Sequence, residues 1–323
     1  MSENGPMRIL ITGASGFVGQ HLVHKLTEAL PADARLILAD RSAGGEADRA
    51  NCKSIRLDVT DAAEVTRVLR DERPTHIVHL AAIAAVTAAN RDVRLAWNVN
   101  FSGTQNIALG IVEVLPECRL LYCSSAEVYG QSFKSNAALD ETALLQPVNP
   151  YGAAKAAADI MLAQMALGGL RVLRLRPFNH TGPGQNTQFV IPAFAAQIAK
   201  IERGEQAPVI RVGDLRSRRD FLDVQDVVAA YAETLLRFDH LPNGAAINIA
   251  SGEARAIQEA LDILVSLSRV KIEVAVDPAL LRPNDTPLVL GNAARARDWL
   301  GWSPQHSWEA TLESVLNEWR QKA

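Results

Sequence analysis

Six short runs of β-branched and long aliphatic residues recur in the first half of the chain, at residues 8–12, 35–39, 54–57, 76–80, 119–123 and 171–174. Each is apolar on successive residues, as a strand reads when both of its faces are covered, and each is separated from the next by a helix-like stretch. A β-α-β-α order predicts an α/β chain with a doubly wound parallel sheet and right-handed crossovers over residues 7–180. After Pro177 the texture changes. Gly182, Pro183, Gly184 and Gln185 form a loop, residues 191–202 read as a helix, and short strands (246–249, 271–276) then alternate with helices (256–268, 294–300). Residues 181–323 are therefore expected to form mainly a smaller mixed α/β lobe, with segments at about 210–250 returning to the first domain.

The first strand runs into Thr12-Gly13-Ala14-Ser15-Gly16-Phe17-Val18-Gly19, followed by a helix-forming run over 20–30. Strand, glycine turn and helix together give the glycine pattern its meaning. Gly13 suits the tight turn, Gly16 the approach of a backbone to a pyrophosphate, and Gly19 close helix–strand packing; the helix N-terminus supplies N–H groups and positive potential. A dinucleotide site of the Rossmann type is expected. Asp40 ends the second strand, where a carboxylate accepts from an adenosine ribose 2'-OH, which favours NAD(H); Arg41 suits the 2'-phosphate of NADP(H). Asp58, beside Val59, is placed either to contact the adenine amine or to cap a helix over 60–70.

Tyr151 and Lys155 stand four residues apart, on one face of a helix. A neighbouring cation favours the phenolate and brings a tyrosine pKa down toward physiological pH. Ser124 and Ser125 follow the 119–123 strand, at the C-terminal sheet edge where such folds bind ligands. A hydroxyl there can hold a substrate oxygen while Tyr151 exchanges the proton and Lys155 binds the nicotinamide ribose.

With these motifs the chain resembles the extended short-chain dehydrogenase/reductases, the NAD-dependent epimerase/dehydratase family that modifies nucleotide sugars. The resemblance covers nearly the whole length: residues 12–19, His79-Leu80-Ala81-Ala82 lining the cofactor cleft, Asn100 three residues before Gly103, residues 124–130, Tyr151–Lys155 and residues 176–185. It implies that Ser125, Tyr151 and Lys155 are catalytic and that Pro177 joins the cofactor contacts. It also implies substrate contacts from Ala126, Glu127, Asn179, Arg219, Arg282 and Asp285. Arginine forks suit a diphosphate, and Asn179 suits a sugar oxygen.

Relatives that perform 4,6-dehydration carry Thr-Asp-Glu where this chain has Ser125-Ala126-Glu127. Glu127 can serve as a base, but Ala126 cannot protonate a departing hydroxyl, so elimination is disfavoured. The 176–185 loop, residues 212–227 and the turn at 277–285 are most similar to reductases of GDP-4-dehydro-6-deoxy-D-mannose, which implies NAD(P)H-dependent reduction at C4 to GDP-D-rhamnose with Tyr151 as proton donor. The alternatives are an NDP-sugar 4-epimerase with tightly held NAD and a catalytically silent NAD(P)-sensing scaffold; intact Ser125, Tyr151 and Lys155 argue against the latter.

A net charge of -3 gives no basic footprint for nucleic acid, and the short cluster Arg216, Arg218 and Arg219 suits one anionic ligand. No apolar run approaches the ~20 residues of a membrane span, and residues 1–6 lack a signal-peptide pattern, so a cytoplasmic protein is expected. Cys52, Cys118 and Cys123 make no even framework and no metal spacing. Helical stretches over 93–115 and 150–167 are rich in small residues; relatives pair these helices across a two-fold axis, which implies a homodimer with a four-helix interface.

Overall fold

The computed structural model describes residues 6–42, 51–281 and 286–322. Alternate side chains of each central strand enter opposite cores, which explains the unbroken apolar runs. Ile9 and Ile11 of β1 (Arg8–Thr12) enter one core with Val78 and Leu121, whereas Leu10 enters the other with Ile77 and Leu120.

Around β1 lie β2 (Arg35–Asp40), β3 (Cys52–Arg56), β4 (His76–His79), β5 (Arg119–Cys123) and β6 (Val172–Pro177). A later strand, Ala246–Ile249, pairs parallel with β6 and completes seven strands. Helices α1 (Phe17–Ala29), α2 (Ala62–Glu72), α3 (Val86–Arg91), α4 (Val93–Trp97), α5 (Gly103–Val114) and α6 (Pro150–Leu167) follow the strands in turn. Leu22 and Leu26 of α1 pack on one face, and Val65, Ile107 and Leu162 of α2, α5 and α6 on the other.

The second half adds β7 (Asn179–Thr181), α7 (Val190–Glu202), β8 (Val209–Val212), β9 (Arg218–Asp223) and α8 (Val224–Leu236). The seventh sheet strand is β10 (Ala246–Ile249), followed by β11 (Ala254–Ala256), α9 (Ile257–Ser266), β12 (Glu273–Val276), β13 (Leu288–Val289), α10 (Ala294–Leu300) and α11 (Trp308–Gln321). Strands β7, β11 and β13 all pair with β9, and β8 pairs with β12. Helices α7, α9 and α11 share a third core, where Phe221 stacks on Trp308 at 5.0 Å.

Several expected boundaries move because pairing decides them. The strand expected at 171–174 extends to Pro177, since Leu175, Arg176 and Pro177 lie opposite Ile247, Asn248 and Ile249. The third strand starts at Cys52, opposite Leu36, instead of at residue 54. Ala256, expected to start a helix, belongs to β11 opposite Arg218. The helical stretch expected over 93–115 is interrupted by a π-helical segment, Asn98–Ser102. Asp58 does not cap α2: Asp61 does, accepting from the N–H groups of Ala63 and Glu64 at 3.0 Å each, while Asp58 accepts from the Thr60 backbone and hydroxyl.

Candidate active site

The glycine loop is built by close approach. Gly13 has φ +72°, and a Cβ there would lie 2.8 Å from the Ala81 nitrogen. At Gly19 a Cβ would meet the Ala14 carbonyl oxygen at 2.6 Å, so only glycine lets α1 start this close to the turn. Gly16 is the N-terminal flanking residue of α1 and uses no side-chain cap, which leaves the first N–H groups of the helix for an anion. The residues fit a dinucleotide pyrophosphate.

Around this turn, the Ser15 N–H donates to Asp40 Oδ2 at 2.8 Å, so the loop holds the carboxylate at the end of β2, one residue before Arg41. Phe17 stacks on His180 at 6.2 Å, and His21 pairs with the Pro183 carbonyl at 2.7 Å, holding the 182–185 loop against the first turns of α1. Val18 packs partly buried against the core. Val59 is buried beneath Gly103, whose Cβ would meet it at 2.7 Å.

The segment from Leu80 to Ile83 crosses the end of the sheet beside Gly13. Asn100 is fully buried, and its amide bonds to that segment, accepting from the Ile83 N–H at 2.8 Å and donating to the Ile83 carbonyl at 3.2 Å. The side chain secures the backbone next to Leu80, Ala81 and Ala82. His79 is held by Thr12 Oγ1 at 2.7 Å and Thr104 Oγ1 at 3.1 Å, and burial lowers its pKa to about 3, with Lys155 pushing the same way. It is neutral at physiological pH.

Beyond β5, Ser125 caps a short 3₁₀ turn, Ala126–Val128, accepting from the Glu127 N–H at 3.2 Å. Across from it, Asn149 caps α6 by accepting from the Gly152 N–H at 2.8 Å, and its amide donates to Glu127 Oε2 at 2.8 Å. Gly152 lets the two segments touch, because a Cβ there would lie 2.6 Å from the Glu127 carbonyl oxygen. Sequence reasoning missed both Asn149 and Gly152; an Asn-Pro step before a helix was the available signal for the cap.

Tyr151 and Lys155 lie on the face of α6 turned toward this turn, and both are buried. Burial pushes the Tyr151 pKa well above its ordinary value, and the Ser125 hydroxyl opposes that push only in part. The expected lowering by Lys155 is therefore corrected. The ammonium donates to the Cys123 carbonyl at 2.6 Å and sits 4.9 Å over the Tyr122 ring, while burial lowers its own pKa. The phenol keeps its proton at neutral pH.

Of the expected substrate contacts, Ala126 is buried beside Ser125. Asn179 lies in β7 opposite Phe221 of β9, and Arg219 lies two residues earlier on β9, donating to the Thr286 carbonyl at 2.7 Å. Arg282 and Asp285 lie outside the described residues. Pro177 is buried at the end of β6.

The sequence profile of the GDP-mannose 4,6 dehydratase family matches residues 10–315. A GDP-6-deoxy-D-mannose reductase from Pseudomonas aeruginosa is 35% identical over 322 residues, 98% of each chain. The structure of RMD from Pseudomonas aeruginosa complexed with NADPH superposes with a TM-score of 0.84 at 33% identity, covering 98% of this chain and 100% of that one. A UDP-glucose 4-epimerase from Thermus thermophilus, in complex with NAD, has the same TM-score at 25% identity, covering 98% and 100%. A profile match across almost the entire length, on a fold whose glycine turn, strand-end serine and tyrosine–lysine helix converge at one edge of the sheet, places this chain in the GDP-mannose 4,6 dehydratase family of nucleotide-sugar enzymes.

Proposed function

We propose that this protein reduces the C4 keto group of a GDP-4-dehydro-6-deoxyhexose, taking GDP-4-dehydro-6-deoxy-D-mannose to GDP-D-rhamnose. A reduced nicotinamide cofactor, held by the Gly13–Gly19 turn, supplies the hydride. Ser125 donates a hydrogen bond to the carbonyl oxygen, and Tyr151 Oη delivers its proton to the alkoxide that results. Lys155 binds the nicotinamide ribose. The observation carrying this reading is the buried, protonated Tyr151 phenol on the helix that packs against the Ser125–Ala126 turn. Such a phenol is poised to give a proton, and the alanine supplies no acid for elimination.

Asp40 favours NADH over NADPH, since its carboxylate repels a 2'-phosphate; Arg41 is the residue that tolerates one. In the second lobe Arg219 and Arg282 are assigned to the diphosphate, Asn179 and Asp285 to polar groups of the substrate. Cys118 and Cys123 are free thiols, which suits a reducing compartment such as the cytoplasm.

Pure protein given GDP-4-keto-6-deoxymannose should oxidise NADH or NADPH stoichiometrically. Absence of turnover with either, together with ready epimerisation of a UDP-sugar and cofactor absorbance retained through purification, would transfer the assignment to a 4-epimerase.

The homodimer belongs to the same reading. Leu109 and Val112 on α5 and Ile160 and Leu167 on α6 face solvent; Ile160 is 57% exposed and Leu167 90%. Neighbouring apolar residues on two helices support a shared helical interface. Ile160→Arg is expected to convert a dimer into a monomer in sedimentation velocity; an unchanged sedimentation coefficient would place the interface elsewhere.

A further inference from the structure

Beneath the Ser125–Tyr151 pair lies a buried charge cluster with no part in the chemistry above. Arg176, in β6, is 4% exposed, and Asp159, one turn beyond Lys155 on α6, is 0% exposed. The guanidinium forks onto the carboxylate, Nε donating to Oδ2 at 3.1 Å and Nη2 to Oδ1 at 2.8 Å. Its third nitrogen, Nη1, donates to the Tyr129 hydroxyl at 3.0 Å and to the Glu141 carbonyl at 3.2 Å. That hydroxyl in turn donates to Asn248 Oδ1 at 2.7 Å, on β10. Arg174 also donates to Asp159.

The two ends of the fork meet the two halves of the site. Asp159 shares α6 with Tyr151 and Lys155, whereas Tyr129 directly follows the turn that Ser125 caps. The Asn149–Glu127 bond joins the same two segments at the N-terminus of the helix, and Arg176 joins them deeper in the fold. Stability gives no reason for such a pair, because buried ion pairs are often matched or bettered by apolar residues of similar volume. What the charges add is direction: a planar fork donates to its partners at fixed angles, which Leu or Met packing does not impose.

We infer that Arg176 is a positioning residue for the reduction, locking the Ser125 turn against α6 and so setting the hydroxyl-to-phenol separation on which proton delivery depends. Its kinetic consequences rest on the reductase reading; its geometric one does not. Lysine in its place keeps a charge for Asp159 but loses the fork that also reaches Tyr129. Tyr129→Phe removes only the hydroxyl end and keeps the ring in its core.

Arg176→Lys and Tyr129→Phe should each lower kcat by about 10- to 100-fold, the range a displacement near 1 Å produces, with KM for sugar nucleotide and cofactor held within about two-fold. In a Tyr151→Phe background the same changes should cost almost nothing further, because the group being positioned is gone. Crystal structures of the variants should show a longer Ser125 Oγ to Tyr151 Oη separation than the parent. Unaltered kcat, losses that add fully to that of Tyr151→Phe, or an unaltered separation would each overturn the inference. Should the parent fail to reduce the proposed substrate, the functional reading falls and the separation alone decides the role of Arg176. Should Arg176→Lys not fold, Tyr129→Phe carries the test.

Discussion

Tyr151→Phe is expected to lower kcat by about 10²–10⁴-fold, the range by which a positioned general acid accelerates proton transfer. The ring packs against Ala89, Ala96 and Ile83, and phenylalanine preserves those contacts, so folding and cofactor affinity should remain close to the parent. Burial holds the phenol above its ordinary pKa of about 10, so ionisation of Tyr151 should not cost activity below pH ~10. Single-turnover reduction followed at the nicotinamide absorbance, with affinity measured separately, checks both statements. A variant with parental kcat would remove Tyr151 from the chemistry.

The second large effect is on stability, through His79. Burial lowers its pKa to about 3 in the folded chain, against about 6.5 when unfolded. Between these values the unfolded state binds a proton that the folded state refuses, so stability rises with pH across that window. The contribution is complete above pH ~6.5 and erodes by up to about 1.4 kcal/mol for each unit the pH falls toward 3. His76, lowered to about 4 by burial, adds to the same slope. Urea unfolding at pH 7.5 and pH 5 should show the parent losing on the order of 2 kcal/mol from His79 alone. His79→Gln, which keeps one amide partner for Thr12 or Thr104 and has no titrating proton, should be less stable at pH 7.5 yet show a shallower decline by about one proton. An equal slope in both proteins would mean that His79 protonates without opening the fold.

The parallel sheet was legible because burial on both faces writes itself as unbroken apolar runs, and the glycine turn because a positive φ and a helix packed on a carbonyl exclude side chains. Strands β7, β9, β11 and β13 were not legible. They are short, two to six residues, and Arg218 and Arg219 of β9 are held there between β11 and β13. Asp61 replaced Asp58 as the α2 cap because the two acids stand three residues apart, and backbone geometry alone chooses between them.

Local sequence, then, determined the fold class, the dinucleotide turn and the convergence of Ser125, Tyr151 and Lys155, because each depends on residues close in the chain or on strand periodicity. Tertiary structure decided the protonation states and the alignment. The tyrosine–lysine spacing promised a lowered phenol pKa, but Lys155 is drawn to the Cys123 carbonyl across 32 residues and burial raises Tyr151 instead. The bonds of Asn100 to Ile83 join residues 17 apart, and Arg176 reads as one strand arginine until Asp159 and Tyr129 meet it from either side. Desolvation and long-range hydrogen bonding are sums over neighbours distant in sequence, which no local pattern encodes.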